Sequence, residues 1–388
     1  MRNTFKILPV LTGDVSGAAS ALFELGGITA IHDPSGCNST YNTHDETRWY
    51  NSDSMVFISG LNDVDAITGN DKKFIDAVTD AAKYLAPNFI SLANSPIPFL
   101  NGTDFEGIAK IITRRTLIPC FYVDTNACGD YCDGASKAFE AYVRTMSLLC
   151  DPVPPDENGK IRIGIIGATP LDFTNPKTMI SVTDTLEGYG FEVFYSMALG
   201  PRSYVHNCNE DNLISTDVNL VISSAGLAAA KVLEERFNIP YVVGFPHEGI
   251  ADLIASRIRT AFENKMSVYA YEDIVRKDSS IVIAGENVVA SSIASSLKLK
   301  YGIDISVISV TSDKVMRPSG KDIYCHTEDD FIEAFKDKTC VIADPLYKHV
   351  CPDNVKFIPL PHLAMSGRLY LKNIPDLVRF DPVKEGLL

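Results

Sequence analysis

The chain has 388 residues, of which 46% are hydrophobic, enough for two or three domains with substantial cores. Its formal net charge of −14 excludes nonspecific binding to nucleic acid or to an anionic membrane surface. No apolar run reaches a membrane-spanning length and the N-terminus lacks signal-peptide organisation, so we expect a cytoplasmic protein with no membrane contact. Its nine scattered cysteines argue against a secreted disulfide framework.

The first region, residues 1–150, alternates predicted helices and strands. A helix of small residues begins near Asp14, which can cap it, and ends at Gly26-Gly27. A short buried strand at 28–31 then leads into the loop that carries Cys37. The later predicted elements of this region are helix 72–85, strand 89–93, a helix from Asp104 to 115, strand 119–123 and helix 135–148.

Residues 151–159, rich in Pro and Asp, predict a linker, followed by a second domain over 160–275 and a third over 276–388. The predicted strands of these two domains are 161–166, 191–195, 219–222, 241–244, 280–284, 304–310, 339–343 and 356–359. Their predicted helices are 178–189, 227–237, 288–301 and 328–335. Strands that alternate with helices throughout predict an α/β fold of three doubly wound, Rossmann-like domains with parallel sheets covered on both faces.

Ligands of such sheets gather beyond the carboxyl ends of the strands. This rule selects one set of loop residues in each predicted domain. The three sets are Cys37, Ser95, Cys128 and Cys132; then Gly167, Ser223 and His247; then Gly285, Asp344 and His362.

Three stretches of the chain resemble the nitrogenase component 1 superfamily. They are residues 12–37 (TGDVSGAASALFELGGITAIHDPSGC), the segment from Asn219-Leu220-Val221 to Ile239-Pro240, and Pro361-His362-Leu363-Ala364-Met365-Ser366-Gly367-Arg368. That superfamily includes the nitrogenase molybdenum–iron protein subunits, cofactor-assembly scaffolds and the dark-operative protochlorophyllide reductases. The resemblance covers roughly residues 5–380 and implies three doubly wound domains around a central cleft.

The resemblance implies that Cys37 ligates an iron–sulfur cluster at a subunit interface. Cubane clusters usually take four thiolates, and Cys37 with one or both of Cys128 and Cys132 falls short of four. We therefore expect a 4Fe-4S cluster shared between two subunits. For Cys128 and Cys132, a pair of idle or buried thiols is the alternative.

Two positions depart from the family pattern. Asp14 stands where relatives carry a cysteine near the start of the small-residue helix, and Ser95-Pro96 stands where they carry Cys-Pro. The loss of two thiolates argues against the family's eight-iron cluster. Asp14 could itself ligate a cluster, or it could cap the helix.

The cleft departs from the pattern as well. Ser223 stands where the large nitrogenase cofactor is anchored by a cysteine, whereas His362 matches the cofactor's histidine, so we expect no iron–molybdenum type cofactor. A cavity lined by Ser223, His247, His362 and Arg368 could instead hold an organic anion or a tetrapyrrole-like substrate, with either histidine as proton donor. The alternatives are a satisfied polar role for His247 and a surface ion pair for Arg368.

The chain has no G-x-x-x-x-G-K-[ST] loop for ATP, no full dinucleotide fingerprint and no G-x-S-x-G elbow. The resemblance implies that electrons come from a separate ATP-dependent iron protein, and that the chain forms a homodimer, or a heterodimer or heterotetramer with a paralogous subunit. The predicted function is the catalytic component of a nitrogenase-like reductase. A non-catalytic metallocluster scaffold or carrier, or a small-molecule binding subunit that has lost the cluster, are the alternatives.

Overall fold

The computed structural model describes residues 4–34, 46–50, 54–154, 159–197, 210–311 and 322–387. Cys37 lies outside the described residues. Within them, three parallel sheets follow one another along the chain.

The first sheet carries the loops that hold Ser95 and Cys128. Its strands are β1 (Ile28–His32), β2 (Val56–Ile58), β3 (Ile90–Asn94) and β4 (Cys120–Val123). Their order across the sheet is β2-β1-β3-β4. Its helices are α1 (Asp14–Leu22), α2 (Asp63–Thr68), α3 (Asp71–Leu85), α4 (Pro96–Asn101), α5 (Phe105–Thr116) and α6 (Tyr131–Met146). Every residue of β1 and β3 is buried, as expected for strands covered on both faces.

The second sheet has the order β6-β5-β7-β8-β9. These strands are β5 (Arg162–Ile166), β6 (Glu192–Ser196), β7 (Val218–Val221), β8 (Tyr241–Val243) and β9 (Val268–Tyr269). The helices of this region are α7 (Pro176–Gly188), α8 (Leu227–Phe237) and α9 (Ala251–Asn264).

The third sheet has the order β12-β11-β10-β13-β14. These strands are β10 (Ile281–Gly285), β11 (Ser306–Ser309), β12 (Ile323–Tyr324), β13 (Cys340–Ala343) and β14 (Lys356–Pro359), and the helices are α10 (Asn287–Tyr301), α11 (Glu328–Phe335) and α12 (Leu363–Ser366). In each of the three sheets the chain reverses its direction of strand addition, and two neighbouring strands flank that switch point: β1 and β3, β5 and β7, β10 and β13.

The three sheets share their cores. One cluster of buried side chains joins the second sheet to the third, for example through Ile163 and Ile283. Another joins α6 to the second sheet and α12, through residues such as Phe139, Leu233 and Leu363. The three sheets are therefore packed against one another.

Helices α1 and α6 pack backbone to backbone because both carry glycine at the contact. A Cβ on Gly17 would lie 2.0 Å from the Tyr131 carbonyl oxygen, and one on Gly134 would lie 1.8 Å from the Asp14 carbonyl oxygen. The small residues of α1 thus fix the position of the N-terminal end of α6, where Tyr131 and Cys132 lie.

Most predicted elements are confirmed, and α8, α11 and β14 have the predicted bounds. Helix α6 begins earlier than the predicted residue 135, because the Asp130 side chain caps it by accepting a hydrogen bond from the Asp133 amide. The expectation that Asp14 caps α1 is wrong, since the N-cap is Gly13 and no side chain caps this helix.

Of the predicted linker, residues 151–154 and 159 have no regular structure, and 155–158 lie outside the described residues. The proposed domain boundaries stay a prediction. No described helix combines the length and the apolarity needed to cross a bilayer.

Candidate functional site in the interdomain cleft

The carboxyl edge of the first sheet is closed by hydrogen bonds between its strands. His32 and Asn94 are partners at the ends of β1 and β3. The Ser95 hydroxyl donates to the His32 carbonyl oxygen at 2.7 Å, so Ser95 joins the ends of the two strands. The His32 ring stacks on Phe74, with 4.2 Å between ring centroids, and burial lowers its pKa to about 4.

Asp14 holds the loop that precedes Cys128. Its buried carboxylate accepts hydrogen bonds from the amides of Asn126 at 2.9 Å and Ala127 at 2.8 Å, and also from Val15. Burial raises the pKa of this carboxyl group, while the amide donors act in the opposite direction. Asp14 thus links α1 to the loop between β4 and α6.

The two cysteines of this loop face different surroundings. Cys128 is exposed. Cys132, in the first turn of α6, is buried in the core, and its Sγ lies 3.4 Å from the Ser224 Oγ. Within the described ranges, no group of three or more His, Cys, Asp or Glu side chains is placed to hold a metal ion. A cluster would therefore need Cys37, a second chain, or both.

A second polar centre lies where the three sheets meet. The Tyr131 hydroxyl, from α6, donates to Asp172 Oδ1 at 2.6 Å. Asp172 follows β5, and its Oδ1 lies 3.3 Å from His362 Nε2, which comes from the third sheet. Burial raises the pKa of Tyr131 well above its ordinary value, and the Asp172 charge acts in the same direction, so the phenol stays protonated and donates.

Glu286 joins the second sheet to the third. It follows β10 and caps α10, accepting from the amides of Val288 at 3.1 Å and Val289 at 2.9 Å. The same carboxylate accepts from the Ser224 amide at 2.9 Å and from the Ser224 hydroxyl at 2.5 Å. Four donors at a helix N-terminus are the surroundings that an ionised carboxylate prefers.

Asp344, which follows β13, positions the His362 loop. Its buried carboxylate accepts from the His362 amide at 2.8 Å, the Ser366 hydroxyl at 2.8 Å and the Leu346 amide at 2.9 Å. Burial raises the pKa of Asp344. Asp344 and His362, two of the loop residues predicted for the third domain, are therefore in direct contact.

A small cavity of about 30 Å³ lies beside this centre. Asp172, Glu286 and His362 supply its charged or titratable groups, and most of the remaining wall is apolar. That wall consists of Thr174, Ile283, Ala284, Gly285, Val289, Ala290, Leu360, Pro361, Met365, Ile374 and Leu377. Of the four residues predicted to line the cleft, His362 alone is among these lining residues.

The other predicted cleft residues make internal contacts. The buried Ser223 hydroxyl donates to the Gly167 carbonyl oxygen at 2.8 Å. The buried His247 has Nδ1 2.7 Å from the Ser296 hydroxyl and Nε2 2.7 Å from the Phe380 carbonyl oxygen, so both ring nitrogens are occupied. Burial lowers its pKa. Arg368 is half-buried just beyond α12.

Tyr131, Asp172, Ser224 and Glu286 were not predicted as site residues. A sequence signal existed for three of them, because Asp172, Ser224 and Glu286 follow strands that flank a switch point. Tyr131 carries no comparable signal, since it reaches the centre from the first turn of α6.

Three parallel α/β sheets with a polar centre where their strand ends meet define a three-domain protein of the Rossmann-like α/β class. The family described as "Nitrogenase component 1 type Oxidoreductase" matches residues 15–330. The chain belongs to this family.

Two solved structures agree with this fold. A structure titled "Nitrogenase Cp1 at pH 6.5" shares 14% identity, with a TM-score of 0.60 over 100% of this chain and 96% of that chain. A structure titled "Nitrogenase Cp1 at pH 5" shares 15% identity, with a TM-score of 0.53 over 86% of this chain and 72% of that chain. No curated protein matches the sequence. At such identities the likeness concerns the fold alone.

Proposed function

We propose that this chain is the catalytic component of a nitrogenase-like reductase. In this proposal it binds a 4Fe-4S cluster at a subunit interface through Cys37, and it passes electrons from an ATP-dependent iron protein to a substrate in the cleft beside His362. The observation that carries the proposal is family membership over residues 15–330, together with a polar cleft at the meeting point of the three sheets.

The arrangement of the first sheet supports a cluster at its carboxyl edge. Cys37 follows β1 in sequence, and the exposed Cys128 lies in the loop after β4, at the same edge of a parallel sheet. Asp14 fixes the backbone on the N-terminal side of Cys128. Cys37 and Cys128 would supply thiolates to a cluster, which would be completed by the partner subunit, either a second copy or a paralogue. Because Cys132 faces Ser224 in the core, we leave it out of the proposed ligand set.

The cleft does not fit a large metallocofactor. Ser223 stands where the family's cofactor is anchored by a cysteine, and its hydroxyl donates a hydrogen bond to the Gly167 carbonyl oxygen. A cavity of about 30 Å³ is far below the roughly 300–1,000 Å³ of ordinary ligand pockets. The proposed reaction therefore uses no large metallocofactor in the cleft. In the proposed reaction the chain's own residues bind and orient a small substrate and exclude bulk water from it.

Iron and sulfide counts on anaerobically purified protein test the cluster. We expect a brown protein with absorption at about 400 nm, typical of Cys-ligated clusters. Cys37→Ala should abolish bound iron and Cys128→Ala should lower it, whereas Cys132→Ala should retain it. Full iron retention in Cys37→Ala would refute the ligand assignment.

Reduction of the bound cluster by an iron protein distinguishes a catalytic function from a scaffold function. ATP-dependent reduction, followed by loss of electrons to an added substrate, is expected of a reductase. A scaffold would bind the cluster without this turnover. A colourless protein without iron would favour a small-molecule binding subunit, a reading supported by the structural use of the Ser95 and Ser223 hydroxyls.

A further inference from the structure

The first sheet has an open position beside its edge strand β4. When the first two sheets are aligned at their switch points, the order β2-β1-β3-β4 matches β6-β5-β7-β8. The second sheet then continues with β9, which pairs in parallel with β8. Among the residues that the structure describes, no strand takes the corresponding place next to β4. An extended segment could therefore be added to the first sheet at this edge.

The main chain of β4 presents hydrogen-bonding groups to this open side. The Pro119 carbonyl oxygen accepts from the Ile90 amide of β3, so alternate residues from Pro119 onward face β3, whereas Cys120 and Tyr122 face away from it. The Cys120 amide donates to the Thr113 hydroxyl at 3.1 Å. Pairing with β3 thus leaves the Cys120 carbonyl oxygen and both main-chain groups of Tyr122 directed towards an added strand.

A groove of about 470 Å³ lies between β4 and the helix α5. Its volume is within the roughly 300–1,000 Å³ of ordinary ligand sites. The described residues that line it all belong to these two elements, so the side beyond the edge of the sheet is open. They are Glu106, Ala109, Lys110, Thr113 and Arg114 of α5, with Cys120, Phe121 and Tyr122 of β4.

Two cations of α5 line this groove one helical turn apart. Lys110 and Arg114 are exposed, and neither makes an ion pair or a hydrogen bond with another residue in the described part of the chain. The neighbouring Arg115, by contrast, pairs with Asp76 at 2.6 Å. Side chains four residues apart on a helix are about 5–6 Å apart at Cβ, and those two residues apart in a strand are separated by about 6.6 Å. Two carboxylates on one face of an added strand would therefore match the two cations.

We propose that the edge of β4 binds an extended segment of a partner protein that carries two acidic residues separated by one residue, and that this segment forms a fifth strand of the first sheet. Its main chain pairs with Cys120 and Tyr122, and its two carboxylates pair with Lys110 and Arg114. In strand addition of this kind the main-chain hydrogen bonds supply affinity and the alternate side chains supply specificity. The inference goes beyond the proposed function, because none of these residues lines the cleft.

Titration of the full chain with short peptides tests the charge requirement. The probe is the blocked peptide acetyl-Thr-Glu-Val-Glu-Val-Thr-amide, and its counterparts carry Gln or Lys in place of both Glu residues. We expect the Glu peptide to bind at least ten-fold more tightly than the Gln peptide, and the Lys peptide to bind more weakly still. Raising the salt concentration should weaken only the Glu peptide, because exposed ion pairs are screened. Equal affinity for the Glu and Gln peptides, or no binding of the Glu peptide, would overturn the proposal.

Charge reversal on the protein locates the binding site. The double variant Lys110→Glu, Arg114→Glu should lose the Glu peptide by at least ten-fold and should bind the Lys peptide instead. Both side chains are exposed, so the melting temperature should stay close to that of the unaltered protein. The double variant Lys177→Glu, Lys231→Glu changes the net charge equally at exposed positions away from the groove and is the matched control. An equal loss of Glu-peptide binding in this control would contradict the assignment to the groove.

Amide hydrogen exchange shows whether the bound peptide forms a strand. The main-chain N–H of Tyr122 faces the open edge, so its exchange should slow at least ten-fold when the Glu peptide binds. Glutarate carries two carboxylates without a peptide main chain, and we expect it to bind at least ten-fold more weakly and to leave this exchange rate unchanged. Glutarate binding as tight as that of the peptide would indicate a site for small dianions and would overturn the strand proposal. Unchanged exchange at Tyr122 in the peptide complex would overturn it as well.

Discussion

Gly134 of α6 lies directly against the main-chain carbonyl oxygen of Asp14 in α1, and a Cβ at Gly134 would stand only 1.8 Å from that oxygen. The contact is between two backbones, so no flexible side chain can move aside to make room. It positions Tyr131 and Cys132, one turn earlier in α6, against the second sheet.

Gly134→Ala should therefore destabilise the protein even though alanine favours helices. We expect the free energy of unfolding to fall by about 1–3 kcal/mol, as is typical of overpacking. Calorimetry should show a lower melting temperature. Gly188→Ala is the matched control, because a Cβ there meets no atom within 4 Å. Equal melting temperatures for the two variants would contradict the close approach of α1 and α6.

His32 should make stability depend on pH. Burial lowers its pKa from 6.5 to about 4, so below pH 6.5 the unfolded chain binds a proton that the folded chain does not. The contribution of His32 to the free energy of unfolding is therefore fully present above pH 6.5, and it falls as the pH drops towards about 4. Between pH 7 and pH 5 we expect a loss of about 2 kcal/mol from this residue, at about 1.4 kcal/mol per pKa unit.

Denaturant unfolding of His32→Gln at pH 7 and pH 5 measures this contribution. Between pH 7 and pH 5, the free energy of unfolding of the variant should fall by about 2 kcal/mol less than that of the unaltered protein. His247, whose pKa burial also lowers, adds pH dependence of the same sign to both proteins. Substitution of the exposed His349 by Gln is the control and should leave the pH dependence as it is. An identical pH dependence in His32→Gln would disprove the assignment.

Glu286→Gln should weaken the junction between the second and third sheets. The carboxylate accepts four donors, and an amide would turn its NH2 group towards some of them. We expect the free energy of unfolding to fall by about 1–3 kcal/mol, which is the cost of leaving a buried donor unpaired. Glu235→Gln, on the exposed face of α8, should have little effect. Equal unfolding free energies for the two variants would count against a structural role for Glu286.

His247→Leu should loosen the C-terminal segment 376–387. The Phe380 carbonyl oxygen would lose the His247 donor, and the Ser296 hydroxyl would lose its ring partner. We expect amide hydrogen exchange in this segment to accelerate about ten-fold, equivalent to about 1.4 kcal/mol of local stability. His349→Leu, at an exposed position, serves as the control. Unchanged exchange in His247→Leu would mean that other contacts hold the segment.

The order of strands and helices could be predicted from the sequence because both signals are local. Buried strands such as β5 are continuous apolar runs between breaker residues, and α8 ends at Asn238 in a left-handed conformation that polar caps favour. The start of α6 was missed because Gly134 suggests a loop in sequence, whereas here it permits close packing against α1.

The candidate site was only partly predictable. His362 and Asp344 were selected because they follow strands, and they contact each other. Tyr131 and Asp172 meet across sheets that are far apart in sequence, which no local pattern can encode. The hydroxyls of Ser95 and Ser223 turn to backbone carbonyl oxygens, a choice that depends on strand neighbours rather than on residue type.

The two carboxylate oxygens of Glu286 both cap α10 and bind Ser224 of the neighbouring domain. If the second and third sheets moved apart, Ser224 would leave this carboxylate and the first turn of α10 would lose part of the network that orders its cap. Entry of a molecule into the adjoining cavity by that route would therefore be coupled to fraying of a helix, and the rate of entry would follow the local stability of α10.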